Sequence, residues 1–341
     1  MKLKQKINYI GSKYSLLDFI YQNINENVDN LKEKTFCDLF AGTHIVGNFF
    51  KDKVKKVISN DIEYYSYCIG CNYILNNESF EYEKYLDELN NLTGIKGNIF
   101  NYYSENGTCN RKYFSQKNGM KIDSIRTKIE DYKDNKNLYY FLITSLLEAA
   151  DKVANTTSVY GAYLKKIKRT ADNDLILLPS LFNINENQEN EVYNQDANEL
   201  IKKISGDVLY IDTPYNHRQY GSNYHILNAI SKYDFSNEPK GITGLMEYNK
   251  SKYCYKNEVY QAFESLIKEA KFNHIFISYN NEGLLEQDDF SDILYKHGNI
   301  TKYEMSYKTY KADSNRNNKS DNTIEYLFYL DKIGNSMFAE K

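Results

Sequence analysis

The chain has 341 residues, enough to bury a substantial core in two domains or one enlarged one. Its 43 Lys and Arg against 46 Asp and Glu give a formal net charge of −3, so any nucleic-acid binding must come from a local basic face. No window approaches roughly 18 apolar residues, MKLKQKINYIGSK leads into an amphipathic stretch and not a signal-peptide core, and the five Cys are scattered, which together indicate a cytoplasmic chain with no membrane segment.

Leu16, Leu17, Ile20 and Ile24 recur at helical spacing after Ser12 and predict a first helix. Thr35 to Phe40 is a short apolar strand running into Ala41-Gly42-Thr43; Val46, Phe49 and Phe50 mark a helix, and Lys56 to Asn60 a second strand ending at Asp61. Ile62 to Leu75 continues as a helix, with Cys68 and Cys71 as packing residues because no second Cys pair completes a zinc site. This succession opens a doubly wound α/β fold. From about 80 to 190 the pattern lapses: Tyr, Asn, Lys and Gly dominate, Leu138 to Ala150 is helical, and Lys165, Lys166, Lys168 and Arg169 form a basic cluster. That cluster reads either as a solvated loop or as a phosphate-contacting edge of a DNA-binding insert. Alternation resumes with Val192 to Gln195, a helix to Ile204, and Asp207 to Ile211; His274 to Tyr279 and the apolar runs near 300–308 and 323–330 close it. The alternation implies a mostly parallel sheet of seven strands. Ser314 to Asn322 is polar enough for a long mobile loop.

The richest chemistry stands at Asp212-Thr213-Pro214-Tyr215, after the apolar run Val208 to Ile211. A buried strand there delivers a carboxylate, a rigid bend and an aromatic face to one point, which suits holding a planar nucleobase and relieving its exocyclic amine of positive charge. Asp38 to Thr43 places an acid at a strand end and a glycine where a turn must approach a ligand. Asp61, about 20 residues on, suits either ribose hydroxyls or an ordinary strand-end turn. A dinucleotide site is disfavoured, because His44 stands where the second glycine of G-x-G-x-x-G would let backbone reach a pyrophosphate. Tyr9-Ile10-Gly11-Ser12-Lys13 lacks the upstream glycine of a P-loop, and the five His show no metal-hydrolase pairing; His225 reads as a packing residue after the catalytic loop.

With these motifs in order, the chain resembles the alpha-class N6-adenine-specific DNA methyltransferases, the FxG/DPPY type, over nearly its whole length. The matching stretches are Asn8 to Lys13, Asp38 to Thr43, Asn60 to Glu63, Asp212 to Asn216, Arg218-Gln219-Tyr220 with Asn223-Tyr224-His225, and Ser278 to Gly283. The resemblance implies a Rossmann-like S-adenosylmethionine-dependent methyltransferase fold. Residues 1–79 and 191–341 would form the catalytic domain and residues 80–190 an inserted target-recognition region. It implies S-adenosylmethionine as cofactor, with Lys13 and Tyr9 near the methionine carboxylate, Phe40, Ala41 and Gly42 as the cofactor turn, and Asp38 supporting the methionine ammonium. Asp61 would hold the ribose and Asp196 the cofactor's adenine amine. Asp212, Thr213, Pro214 and Tyr215 would form the catalytic loop, and Lys165, Lys166, Lys168, Arg169 and Arg218 would contact duplex DNA; a cognate restriction endonuclease is a further expected partner, without a stable complex, and no metal is implied. Two positions depart from the commonest family pattern. His44 replaces a frequent glycine, and Thr213 replaces a proline whose backbone carbonyl is what the chemistry needs. Methylation of the N4 amine of cytosine, for which Ser usually opens the loop, methylation of RNA or of a protein amide, and a silent DNA-binding module are the rival readings.

Overall fold

The computed structural model describes residues 6–185, 188–281, 283–308 and 322–332. Seven strands form one sheet: β1 Thr35–Asp38, β2 Lys56–Asn60, β3 Glu191–Tyr193, β4 Ser205–Ile211, β5 Lys271–Asn280, β6 Asn299–Lys308 and β7 Asn322–Asp331. Their order is β3-β2-β1-β4-β5-β7-β6, parallel throughout except that β7 runs antiparallel between β5 and β6. The chain steps outward from β1 through β2 to β3, then returns to start β4 on the other flank of β1. The order therefore reverses between β1 and β4, and ligands of open α/β sheets bind at such a reversal, beyond the strands' carboxyl ends.

The central strands are continuous apolar runs because both faces are covered. Successive residues alternate between the two faces. Phe36, Val208 and Tyr210 join the core shared with Leu17, Ile20 and Ile24 of α1 (Leu17–Asn27) and Val46 and Phe50 of α2 (Ile45–Phe50). Cys37, Leu209 and Ile211 face the opposite core, with residues of three helices that come later in the chain and are delimited below.

The helix expected over Ile62 to Leu75 is α3 (Tyr64–Gly70), continuing as one π-helical stretch over Cys71–Leu75, and it buries both Cys68 and Cys71. Residues 80–190 are far more helical than the sequence suggests: α4 Glu83–Asn90, α5 Asn98–Tyr103 and α6 Gln116–Ile129 precede α7 Lys136–Lys152, the helix expected at Leu138 to Ala150. Their apolar anchors, Leu86 and Leu89 in α4 and Ile122, Ile125 and Ile129 in α6, are spaced for helices, but Asn, Lys and Gly dilute the pattern between them. These anchors share one core with Tyr65 and Ile69 of α3 and with Ile226, Leu227 and Ile230 of α10 (His225–Lys232). The remaining helices are α8 Ala197–Leu200, α9 Tyr220–Asn223, α10 His225–Lys232, α11 Val259–Glu269 and α12 Gln287–Leu294, of which α8, α11 and α12 supply the opposite core. His225 is buried on α10 with Nε2 at 3.0 Å from the Tyr160 carbonyl, a packing residue as expected. Glu282 and residues 314–321 of the expected polar loop lie outside the described residues, and Asn322 opens β7. Among the described residues no helix is long and apolar enough to cross a membrane.

Candidate active site at the sheet reversal

β1 and β4 are paired neighbours, so the residues that follow them, Leu39 to Thr43 and Asp212 to Tyr215, leave adjacent strand ends into one cleft. The cleft encloses about 940 Å³ of non-atom space, mouth included. Tyr9, Lys13, Asp38, Phe40, Ala41, Gly42, Asp61, Asp196, Asp212 and Pro214, all singled out in the sequence, line it together.

Gly42 has φ +54, and a Cβ there would stand 2.7 Å from Tyr9 Cε1, so glycine lets the Tyr9 ring lie directly on the turn. The Gly42 and Glu63 amides donate to the two Asp61 oxygens at 2.8 Å each, and the Gly47 amide donates to Asp38 Oδ2 at 2.9 Å. His44 sits at φ +57, a left-handed conformation that His tolerates better than most residues. Its ring bridges Ser59 Oγ at 2.8 Å and Ser66 Oγ at 3.1 Å. The Ser66 hydroxyl donates to the Gly42 carbonyl, so His44 Nε2 donates to Ser66 and Nδ1 accepts from Ser59. Burial holds the imidazole neutral, its pKa lowered to about 3. Gly70 makes room for it, since a Cβ there would meet His44 Cε1 at 2.4 Å. The departure at position 44 is thus a built element tying the turn to α3.

A tyrosine cluster fastens the N-terminal motif to the loop after β4. Tyr9 stacks on Tyr224 at 4.6 Å between centroids; Tyr224 Oη accepts from the Ile10 amide at 2.7 Å, and Tyr220 Oη donates to the Ile10 carbonyl at 3.1 Å. Gly11, at φ +72, brings the chain so close that a Cβ would lie 2.8 Å from Tyr215 Oη. Tyr279, from the motif at Ser278 to Gly283, packs edge-on against Tyr215 at 5.7 Å.

Lys13, only 3% exposed, holds the centre. Its ammonium lies 2.8 Å from Asp212 Oδ1 and 3.2 Å from Glu325 Oε1, and donates to Tyr215 Oη at 3.0 Å and the Gly11 carbonyl at 3.2 Å. All four protein groups lie within 3.2 Å of the ammonium, with Asp212 the nearest; the role read for Lys13 from the sequence is beside the methionine carboxylate. Burial and the Asp212 charge oppose each other at Lys13, and the carboxylates win: its pKa is raised well above the ordinary value. Asp212 and Glu325 are also both raised, because burial outweighs their shares of a single ammonium.

The remaining acids form a buried negative cluster. Burial raises Asp38 to about 7, Asp61 to about 6 and Glu63 to about 7, with neighbouring carboxylates adding to each effect at Asp38 and Glu63. Among the described residues no Lys or Arg pairs with Asp38 or Asp61. Such a cleft fits a ligand carrying positive charge and no phosphate, as S-adenosylmethionine does with its sulfonium and ammonium.

Other expected residues fall differently. Asp196 is exposed and caps α8, accepting from the Asn198 and Glu199 amides. Lys165, Lys166, Arg169 and Arg218 are exposed, whereas Lys168 Nζ donates to the Thr156 carbonyl at 2.6 Å and staples its own loop. Thr213 is buried. Glu63, Gln219, Tyr253 and Glu325 belong to the site and were not singled out individually. The one signal for Glu325 is its charge inside the apolar run Ile324 to Leu330. Gln219 clasps the Ser251 backbone, donating to its carbonyl at 3.1 Å and accepting from its amide at 2.8 Å, and so ties the loop after Tyr215 to the wall formed by Asn249, Ser251 and Tyr253.

The model of the D12 class N6 adenine-specific DNA methyltransferases matches residues 9–293. The type II methyltransferase M.NlaIII of Neisseria lactamica is 49% identical over 334 residues, covering 96% of this chain and 99% of that protein. M.CviAII of Paramecium bursaria Chlorella virus 1 is 39% identical, with 95% of this chain and 98% of that protein covered. M.FokI of Planomicrobium okeanokoites is 40% identical over 98% of this chain, which spans 54% of that longer protein. A charged, phosphate-free cofactor cleft, a carboxylate-led aromatic loop beside it and a match over most of the length agree: the chain belongs to the D12 class of N6 adenine-specific DNA methyltransferases and takes its methyl group from S-adenosylmethionine.

Proposed function

We propose that the chain is the cytoplasmic modification enzyme of a restriction–modification system, methylating adenines that it flips out of duplex DNA into the cleft at Asp212 to Tyr215. The observation that carries the catalytic assignment is the Asp212 carboxylate, paired with buried Lys13 at the mouth of the cofactor turn. The type II methyltransferase names of M.NlaIII and M.CviAII support the biological setting; a cognate endonuclease, without a stable complex, would be the further partner.

An adenine within a duplex cannot reach this cleft, and extruding it costs about a few kcal/mol. Tyr215 offsets part of this by stacking on the flipped ring, worth on the order of 1–3 kcal/mol. The amine lone pair is conjugated into that ring and is a weak nucleophile. Asp212 accepts one amine N–H and the Thr213 carbonyl the other, which favours a pyramidal nitrogen and stabilises its growing positive charge. When bound, S-adenosylmethionine supplies an electrophilic methyl group activated by the adjacent sulfonium. Asp38 would accept from its ammonium, Asp61 from its ribose and Asp196 from its adenine amine. Residues 80–190, inserted between 1–79 and 191–341, would read the DNA. Expression in a host lacking adenine methylation, followed by mass spectrometry of the digested DNA, tests the function: N6-methyladenine is expected, and its absence overturns the proposal.

Cofactor binding should also release protons. A ligand cation favours the charged forms of Asp38 and Asp61, whose pKa values stand at about 7 and about 6 without it. Affinity is then full only at about pH 8 and above and falls as either acid protonates, by up to about twentyfold between pH 8 and pH 6. Calorimetry in two buffers of different ionisation enthalpy checks this; heats independent of buffer at pH 6.5 would exclude it.

Replacing the exposed Lys165, Lys166 and Arg169 by Ala together should weaken DNA binding without altering cofactor affinity. The salt dependence of log Kd should flatten by about 2–3 if all three meet phosphates. An unchanged slope would return the cluster to a solvated loop.

A further inference from the structure

Glu325 is 2% exposed and opens the buried half of β7, paired in register with Asn280 at the carboxyl end of β5. It is the sole charge in an otherwise apolar stretch, Ile324 to Leu330. Burying a second carboxylate beside Asp212 is costly, and a neutral side chain of the same size would fold at least as well there. The contact it makes is with the Lys13 ammonium, at 3.2 Å, the same ammonium that holds Asp212 Oδ1 at 2.8 Å and Tyr215 Oη at 3.0 Å.

A one-to-one pair between Lys13 and Asp212 would neutralise the carboxylate that the amine needs. Two carboxylates on one ammonium leave a net negative charge on the pair, part of it at Asp212, while the ammonium still keeps Asp212 ionised. We propose that Glu325 is a positioning residue for methyl transfer: by sharing Lys13 from the far edge of the site, it keeps Asp212 charged but incompletely neutralised, and fixes the Tyr215 hydroxyl on the same ammonium. The inference rests on Asp212 as the amine's acceptor. The groups that face Glu325 and would shape its pH behaviour are Lys13 from the N-terminal motif and Asp212 from the catalytic loop; Tyr210 on β4 and Asp38 at the end of β1 act on the same cluster.

The test is single-turnover methylation of a duplex with cofactor pre-bound at saturation, so that Asp38 and Asp61 are already engaged, read from pH 5 to 9 for wild type, Glu325→Gln, Glu325→Asp and Asp212→Ala. Glu325→Gln should bind cofactor within about threefold of wild type, lose about tenfold or more in rate, and shift the acid limb to lower pH because Asp212 has lost a like charge. Glu325→Asp, which restores the charge on a shorter arm, should recover part of the rate and the wild-type limb. Should Glu325→Gln not fold, the Glu325→Asp profile decides, and a reduced rate on an unmoved limb supports the proposal while an unchanged rate overturns it. A Glu325→Gln enzyme with wild-type rate, or with reduced rate and an unmoved acid limb, overturns it also. An active Asp212→Ala enzyme would instead bring down the reading of Asp212 itself.

Discussion

Replacing Asp212 by Ala should lower single-turnover methylation by on the order of 10³-fold while cofactor affinity moves by less than about threefold. In the proposed mechanism the carboxylate is an acceptor whose interaction strengthens only as the amine gains positive charge, so its loss falls on the chemical step and not on ground-state binding. The fold should survive, because Lys13 keeps Glu325, Tyr215 and the Gly11 carbonyl as partners. Asp212→Asn retains shape and one acceptor oxygen but no charge, and should sit between the two, down by about 10². Rapid-quench methylation with pre-bound cofactor separates the steps. An Ala variant within tenfold of wild type would leave the loop without its assigned chemistry.

Lys13→Met should have the largest effect on stability. It strips the counter-ion from two buried carboxylates at once, and breaking a buried pair in this way costs about 3–5 kcal/mol, or roughly 4–7 °C of melting temperature in a chain of this size. The pH sign follows from the carboxylates. Asp212 and Glu325 already have raised pKa values, and without Lys13 they rise further. The folded state then binds more protons than the unfolded one above the ordinary carboxylate range, so stability falls as pH rises through that window. The deficit should be larger at pH 8 than at pH 5.5. Lys13 itself, raised above its ordinary value, would lose its contribution only in strong alkali and does not set this trend. Thermal melts at both pH values check it; an equal deficit at each would mean that the loss is one of packing alone.

Most of the site was legible because it grows from strand ends. The β2 strand was read at Lys56–Asn60 as observed, and β4 begins only two residues before the stretch read at Asp207 to Ile211. Once the strand order is that of a doubly wound sheet, Asp38, Asp61 and Asp212 must converge. Lys13 was legible as a site residue but its contact with Glu325 was not, since that depends on the antiparallel register of β7, set at the opposite end of the sequence. The helices α4 to α6 escaped for another reason. Their apolar residues are few, and it is the shared core with α3 and α10 that makes them helical.

That shared core carries a consequence for engineering. Arg126 of α6, itself buried, donates to the carbonyls of Ile230 and Ser231 at the end of α10, and Asn8 donates from backbone and side chain to Asp151 of α7. Residues 80–190 are contiguous in sequence and supply most of this core, but they share it with α3 and α10. If residues 80–190 read the DNA, as proposed, they are not a detachable cassette: cutting at 79 and 191 to exchange them for a relative's segment would section a shared hydrophobic core and sever the Asn8–Asp151 and Arg126–α10 braces. On that proposal, altered targets are better sought by changing exposed side chains within 80–190, leaving the inward ones in place.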